Sequence, residues 1–403
     1  MAVIGVSTSQ DSHPANVIYN KNHLRYPVKT FPVNPKGGLI NREILYKSIE
    51  DIQADVDLAV IAVRAQFVPK VVEQCIKNSV GGAVIISGGF AEAGNLNLQK
   101  RVVDMAKEAL FPFIGPNCLG IYAPDYVDTF FLPGERIIYP NKGNIGFVSQ
   151  SGGVLVDQMV KFAGQGIGLS LGVSIGNKAC IRETDMLDWF EHDPGTRAIA
   201  FYIEGFNEGE GREFIKKAGR CSKPVIVLKA GKSKKGIEAA SSHTASLAGD
   251  YRVFSQIMNQ YSIAEAANEF ELTSFCESLS CYSKAMDGNI GIISLSGGHG
   301  VLAVDGCEQH GLSIPGIEQK TMDIIKEKLS PEIQNIVCLE NPMLEMRVLK
   351  KSVSIVALNI QVCPSSVKCW TAMTIWGYFL NPRNTLLMYC PFIWVSWKEI
   401  CSE

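Results

Sequence analysis

Five short apolar runs fix what the first third of this chain can become. Ala2-Val-Ile4, Val28 to Val33, Leu58 to Val63, Gly82 to Ser87 and Phe113 to Gly115 carry little charge and do not alternate apolar with polar residues. Strands of this kind are apolar on both faces, so they belong inside a parallel sheet with helices above and below it. The stretches between them supply helices: apolar spacing predicts them over Val68 to Lys77 and Leu96 to Glu108. This is the βαβ rhythm of a doubly wound α/β fold, in which a nucleotide-type ligand lies across the carboxyl ends of the strands.

The residues that close those strands are therefore the first candidates for a site. Gly5-Val-Ser-Thr-Ser-Gln10 follows the first run, but it is not the Gly-x-Gly-x-x-Gly of a nicotinamide site. Lys36, in Val33-Asn-Pro-Lys-Gly-Gly38, stands where an NAD enzyme would carry an acid for the ribose hydroxyl. A cation there favours a phosphorylated ribose, as in coenzyme A or NADP; a surface lysine in a Pro/Gly turn is the plainer reading. Ser87-Gly-Gly-Phe-Ala-Glu92 and Gly115-Pro-Asn-Cys-Leu-Gly120 close two later strands with small residues, as close backbone approach or a simple turn requires. Cys118 reads either as a nucleophile or, more plainly, as a small buried thiol.

A phrase then repeats. Gly143-Asn-Ile-Gly-Phe-Val-Ser-Gln-Ser-Gly-Gly153 is echoed by Gly288-Asn-Ile-Gly-Ile-Ile-Ser-Leu-Ser-Gly-Gly298, which predicts two related domains that each begin strand, Ser/Gly turn, helix. Such a turn aims backbone N–H groups and a positive helix end at one point, where an anion binds; a serine N-cap on an ordinary turn has the same sequence. Ala198-Ile-Ala-Phe-Tyr-Ile-Glu-Gly205 reads as a buried strand that ends in Glu204, a carboxylate able to orient an imidazole or to take part in an ordinary salt bridge. Lys223-Pro-Val-Ile-Val-Leu-Lys-Ala-Gly231 is another buried strand, and it leads into Ala239-Ala-Ser-Ser-His-Thr-Ala-Ser-Leu-Ala-Gly249. The small neighbours of His243 leave room for a phosphoryl group beside the ring, as covalent catalysis by histidine needs; a solvated loop histidine is the alternative. Gly176-Asn-Lys-Ala-Cys180 should close a strand on the same rim.

Composition narrows the function classes. A net charge of -2 over 403 residues gives no basic field for nucleic acid or an anionic membrane, and the length suits two or three domains. Twelve Cys without a CxxC pair point to a reduced, cytoplasmic compartment rather than a disulfide framework, and no basic, then apolar, secretory leader opens the chain.

Taken together, Val-Asn-Pro-Lys36, Ala-Val-Ile-Ile-Ser-Gly-Gly-Phe-Ala-Glu92, Ile-Gly-Pro-Asn-Cys-Leu-Gly120, Val-Ser-Gln-Ser-Gly-Gly153, Gly-Asn-Lys-Ala179 and Ser-His-Thr-Ala-Ser-Leu-Ala-Gly249 closely resemble the alpha part of NDP-forming acyl-CoA synthetases, relatives of the succinyl-CoA synthetase alpha subunit. The resemblance runs in family order over about residues 1 to 342. It implies a Rossmann-like CoA-binding domain over 1–138 and a flavodoxin-like, succinyl-CoA synthetase-like domain with the phosphohistidine loop over 139–285. A second flavodoxin-like domain would start over 286–342 and be truncated, ahead of an anomalous tail over 343–403.

The resemblance further implies roles. His243 would be the phosphohistidine and Glu204 the acid beside it, with Ser151, Gly152 and Gly153 at the helix start that holds the phosphoryl group. Ser7, Thr8, Ser9, Gln10, Lys36, Ser87, Gly88 and Asn117 would contact coenzyme A. Acyl-CoA, phosphate and NDP would give a short carboxylic acid, CoA and NTP. ADP/ATP or GDP/GTP with Mg2+ would sit on an ATP-grasp beta subunit in a hetero-oligomer, and no metal site is expected on this chain itself. Two other classes stay open at this point, a non-catalytic CoA-binding regulator and an NADP-dependent reductase.

Departures from the family pattern carry expectations of their own. The first strand begins at Ala2, as if the start were clipped close to the fold. Arg64 stands where the family commonly has proline by the coenzyme, and Val156 replaces the tyrosine of succinate-specific relatives, which favours acetate or another short acid. Beyond Glu340-Asn-Pro342 the βα rhythm stops, and Trp370, Trp376, Trp394 and Trp397 sit among apolar residues without period, as a frame-shifted or mis-spliced end would leave them.

Overall fold

The computed structural model describes residues 1–133, 137–236, 251–281, 292–294, 297–314, 323 and 343–345. His243 and the four Trp of the tail lie outside the described residues. The chain divides into two compact units, Met1–Ser283 and Lys284–Glu403.

The first unit is built on two sheets. In the first, β1 (Ala2–Ile4), β2 (Phe31–Val33), β5 (Leu58–Ile61), β6 (Gly82–Ile85) and β7 (Phe113–Ile114) lie in the order β2-β1-β5-β6-β7 and are all parallel. The small hairpin β3 (Gly38–Ile40) and β4 (Glu43–Leu45) follows β2. Every residue of β1 is buried, as is nearly all of β5 and β6, which is why these segments read as unbroken apolar runs. The helices α2 (Val68–Lys77) and α3 (Leu96–Glu108) have the bounds that spacing predicts, with Val68, Val72, Cys75, Val102 and Ala106 turned into the core. The strand expected from Val28 starts only at Phe31 and includes Pro32, which an edge strand accommodates because one side of it has no partner to receive an N–H.

Strand order reverses at β1, between β2 on one side and β5 on the other, so the loops after β1 and β5 flank the crevice where such sheets bind ligands. Gly5 makes that crevice possible: at φ +108 its backbone turns where a Cβ would stand 2.4 Å from the Ala62 carbonyl oxygen.

The second sheet contains β8 (Gly120–Ala123), β9 (Val127–Asp128), β10 (Lys142–Ser149), β11 (Leu169–Ser174), β12 (Ala198–Ile203), β13 (Val225–Lys229) and β14 (Ala264–Ala266), in the order β14-β13-β12-β10-β11-β8-β9. The five from β10 to β14 are mutually parallel, whereas β8 pairs antiparallel with both β11 and β9. The β8–β9 hairpin, which the sequence counts with the first domain, is thus hydrogen-bonded into the second sheet.

Helices α4 (Gly152–Gly164), α5 (Glu183–His192), α6 (Glu210–Ala218), α7 (Tyr251–Gln260) and α8 (Glu269–Cys281) cover this sheet. Phe147, Phe162, Phe190, Phe201 and Phe214 are fully buried, a contribution of about 1.5–3 kcal/mol each. Gly146 faces Phe190 so closely that a Cβ would lie 2.4 Å from the ring, so the glycine admits α5 against β10.

In the second unit, β15 (Ile292–Ser294) is followed by α9 (Gly297–Gln309). Both copies of the repeated phrase therefore leave the strand at the same serine, Ser149 or Ser294, and enter the helix at the same glycine, Gly152 or Gly297. β16 (Met343–Glu345), just past the point where the sequence rhythm ends, pairs parallel with β15. No helix among the described residues is long and apolar enough to cross a membrane.

Candidate active site

Two rims within the first unit gather the described candidate residues, each at carboxyl ends of strands. On the first rim, Ser7 follows β1 and is fixed by Asn16, which accepts from the Ser7 N–H at 2.6 Å and donates to its carbonyl at 2.8 Å. The Ser7 hydroxyl accepts from the N–H groups of Ser9 and Gln10, which leaves the side chains of Thr8, Ser9 and Gln10 exposed at the crevice. Asn34 ties the neighbouring loop to this one, donating to the Val6 carbonyl at 2.7 Å and accepting from the Lys36 N–H at 2.9 Å; Lys36 itself is exposed.

After β6, the Ser87 hydroxyl turns inward to donate to the Val63 carbonyl at 2.5 Å. Its main-chain carbonyl accepts from the Asn117 N–H at 2.9 Å, and a Cβ at Gly88 would stand 3.2 Å from Asn117 Oδ1. Arg64 is exposed after β5, on the same rim. Ser7 to Gln10, Lys36, Ser87, Gly88 and Asn117 thus come together from the ends of β1, β2, β6 and β7. Cys118 does not join them: it is buried, its thiol donates to the Ile85 carbonyl at 3.3 Å, and burial pushes its pKa up, which leaves it no nucleophile.

On the second rim, β10 and β12 are adjacent and in register, with Ser149 opposite Tyr202. Ser151 lies two residues past the end of β10, and Glu204 is the residue after the end of β12. Ser151 caps α4 by accepting from the Val154 N–H at 3.4 Å. Gly153 is open to solvent, whereas Gly152 packs where a Cβ would meet Leu119 at 2.9 Å. The first N–H groups of α4 have no partner within the helix and point, with its positive end, out of the rim.

Glu204 is buried, and Gln150 fixes its backbone. Gln150 Oε1 accepts from the N–H groups of Glu204 (2.7 Å) and Gly205 (3.1 Å), while its Nε2 donates to the Gly205 carbonyl (2.8 Å) and to Glu183. Behind it the buried ammonium of Lys178 donates to the Gly205 carbonyl at 3.0 Å and pairs with Glu183 at 3.2 Å and with Glu210 at 2.9 Å. Burial alone would raise the Glu210 carboxyl; the hydrogen bonds from Asn207 and the Lys178 ammonium outweigh it and hold it below its ordinary value.

β13 ends at Lys229 on this rim, and the chain runs on through Gly231 toward His243. A cavity of about 320 Å³ opens here, lined by Tyr202, Lys229, Ala230, Asn268, Glu269 and Phe270. A larger one, about 460 Å³, lies among residues such as Ile52, Asp55, Asn78 and Val80 at the amino ends of β5 and β6. It is on the opposite edge of the first sheet from Ser7, Lys36, Ser87 and Asn117, and ligands of such sheets bind at the carboxyl edge.

The rims are joined. Gly176, at φ +54, brings the loop after β11 so close to the loop after β7 that a Cβ would meet the Asn117 carbonyl at 2.3 Å. Asn177 then donates to Glu92, whose carboxylate also accepts from the Gly89 N–H at 2.5 Å. Gln150, Asn177, Lys178 and Glu92 lie inside the phrases singled out from the sequence without a role; Glu183 had no local signal at all.

Residues 1–124 match the CoA binding domain family and residues 142–279 the succinyl-CoA ligase like flavodoxin domain family. A parallel sheet and a mixed, largely parallel one, with these rims, therefore define a CoA-binding, succinyl-CoA ligase-like α/β protein.

The relatives narrow the class. Acetate–CoA ligase (ADP-forming) I of Archaeoglobus fulgidus is 39% identical over 340 residues, covering 82% of this chain and 48% of that protein. Acetate–CoA ligase (ADP-forming) I subunit alpha of Pyrococcus furiosus is 38% identical over 323 residues, covering 78% of this chain and 69% of that subunit. The dinucleotide forming acetyl-coenzyme A synthetase 1 of Ca. Korarchaeum cryptofilum, solved with phosphate and ADP, superposes with a TM-score of 0.76 at 31% identity, over 85% of this chain and 73% of that one. The chain belongs to the ADP-forming acetate–CoA ligase family and corresponds to its alpha part. It spans about half the length of the first two curated relatives, 48% and 46%.

Proposed function

We propose that this chain is the acyl-CoA-handling part of an NDP-forming, short-chain acyl-CoA synthetase of the cytoplasm. Ser7, Thr8, Ser9, Gln10, Lys36, Ser87, Gly88 and Asn117 contact coenzyme A on the first rim. His243 is the phosphorylated residue, Glu204 the acid that orients it, and Ser151, Gly152 and Gly153 cradle the phosphoryl group at the start of α4. The observation that supports this reading is that Ser151 and Glu204 follow the carboxyl ends of adjacent, in-register strands, with β13 parallel beside β12.

The chemistry balances in three transfers. Phosphate attacks the thioester carbonyl, the C–S bond breaks, and acyl phosphate and CoA form. The imidazole of His243 then takes the phosphoryl group, releasing the carboxylate. Finally NDP attacks the phosphohistidine, and NTP leaves with the free imidazole. Histidine thus serves as a relay between separate sites, and the N-terminal N–H groups of α4 face the charge that develops during transfer. In this reading NDP and Mg2+ belong to an ATP-grasp beta subunit, in a hetero-oligomer. Among the described residues no group of three or more His, Cys, Asp or Glu could hold a metal ion. Val156, half-buried one turn into α4, suits acetate or a similarly small acid better than succinate.

The test is to incubate the full chain with an ATP-grasp beta subunit and γ-labelled ATP. The expected product is acid-labile label on the chain that His243→Asn abolishes and that acetate plus CoA discharges. Label that survives His243→Asn overturns the assignment. CoA binding without any label favours the non-catalytic regulator. Tighter binding of NADPH than of CoA in a parallel titration favours the reductase.

A further inference from the structure

We propose that Gln150 is the positioning residue for Glu204, and that the buried pair of Lys178 and Glu183 sets the orientation of its amide. This rests on the reading of Glu204 as the acid beside the phosphorylated histidine, and adds a residue to which no role was given.

The amide of Gln150 is fully used. Its oxygen takes two main-chain N–H groups, from Glu204 and Gly205, and its nitrogen gives to the Gly205 carbonyl and to Glu183. An amide can sit either way round in a symmetrical pocket, but this pocket is not symmetrical: two donors face Oε1 and two acceptors face Nε2. Glu183, 1% exposed and the first residue of α5, accepts from Nε2, and the Lys178 ammonium holds that carboxylate while donating to the Gly205 carbonyl. The turn that carries Glu204 is therefore gripped from both sides by side chains of other loops. Gln150 also lies between Ser149, the last residue of β10, and the α4 cap Ser151, so one residue ties the phosphoryl cradle to the acid opposite it.

Misplacing a reacting group by about 1 Å can slow a reaction roughly 100-fold, so the role is measurable. Initial rates of label transfer from γ-labelled ATP to the full chain, in complex with the beta subunit, are compared for wild type, Gln150→Met and Gln150→Glu. Thermal melting and CoA affinity of each variant serve as controls for folding. Gln150→Met is expected to slow labelling roughly 10- to 100-fold with CoA affinity within about twofold of wild type.

Gln150→Glu keeps the size and Oε1 but sets a carboxylate against Glu183 and the Gly205 carbonyl, with Lys178, Arg182, Glu204, Glu210 and Lys229 as the other charges around it. That added carboxylate should be protonated more readily than a free one, so its rate relative to wild type should rise as pH falls. A merely structural role predicts no such rise.

Should Gln150→Met fail to fold, Gln150→Glu alone decides. Equal labelling of wild type and Gln150→Met, or a flat ratio for Gln150→Glu across pH, overturns the inference while leaving the reading of His243 intact. Absence of label on wild type ends that reading and the inference with it.

Discussion

The ammonium of Lys229, the last residue of β13, donates at 2.6 Å to the main-chain carbonyl of Glu204, just past the end of β12. Two neighbouring strand ends of the second rim are thereby fastened by a buried cation whose Nζ also lies 6.0 Å from the Phe254 ring centroid.

Burial lowers Lys229 from 10.5 to about 8, and Lys232 adds to that, against the opposing attraction of Glu204 and Glu265. The folded protein therefore binds fewer protons than the unfolded chain between pH 8 and 10.5, and stability gains with pH across that window. In denaturant titrations wild type should gain on Lys229→Met as pH rises through it. Parallel curves for the two proteins would refute the buried-cation account.

Glu92 provides the acid-side counterpart. Burial alone would raise its carboxyl, but hydrogen bonds from Asn177 and from the Gly89 and Phe90 N–H groups outweigh it and hold the pKa below 4.5. Its contribution is present above the unfolded value and lost as pH falls through the folded one. Relative to Glu92→Gln, wild type should lose stability as pH drops below 4.5. At neutral pH Glu92→Ala should cost about 1 kcal/mol and, by freeing the Gly88–Gly89 turn from Asn177, weaken CoA binding in calorimetry.

Gly146→Ala should destabilise the second sheet by about 1–3 kcal/mol. The new Cβ would lie 2.4 Å from the fully buried Phe190 ring, so α5 must shift outward. A loss of less than about 0.5 kcal/mol in urea melts, the range of an ordinary surface change, would contradict this packing.

Lys21, on α1 (Pro14–Arg25), meets Asp128 of β9 at 2.6 Å, with side-chain exposures of 5% and 0%. Lys21→Met should cost about 3–5 kcal/mol, because it strands a buried carboxylate. Adding Asp128→Asn to that variant should recover part of the loss. A double variant no better than the single one would place the stability elsewhere.

The chain's sequence determined its layered architecture. Strands buried on both faces must be apolar at nearly every position, and helices packed on them must repeat every 3.6 residues. That is why β1, β10, β12 and β13 and the bounds of α2 and α3 could be read directly, and why the echoed phrase marks the same strand-to-helix turn at Ser149–Gly152 and Ser294–Gly297. Family phrases pointed to the rims for the same reason: a strand end closed by small residues is a local pattern.

Which of those ends meet was decided only by tertiary structure. Gln150 finds Glu183 across 33 positions, Asn177 finds Glu92 across 85, and the β8–β9 hairpin joins the second sheet rather than the first. Such pairings follow from strand order and from glycines that let loops touch. A polar side chain carries no periodic mark of its distant partner, so its role becomes visible only when folding brings the two within hydrogen-bonding reach.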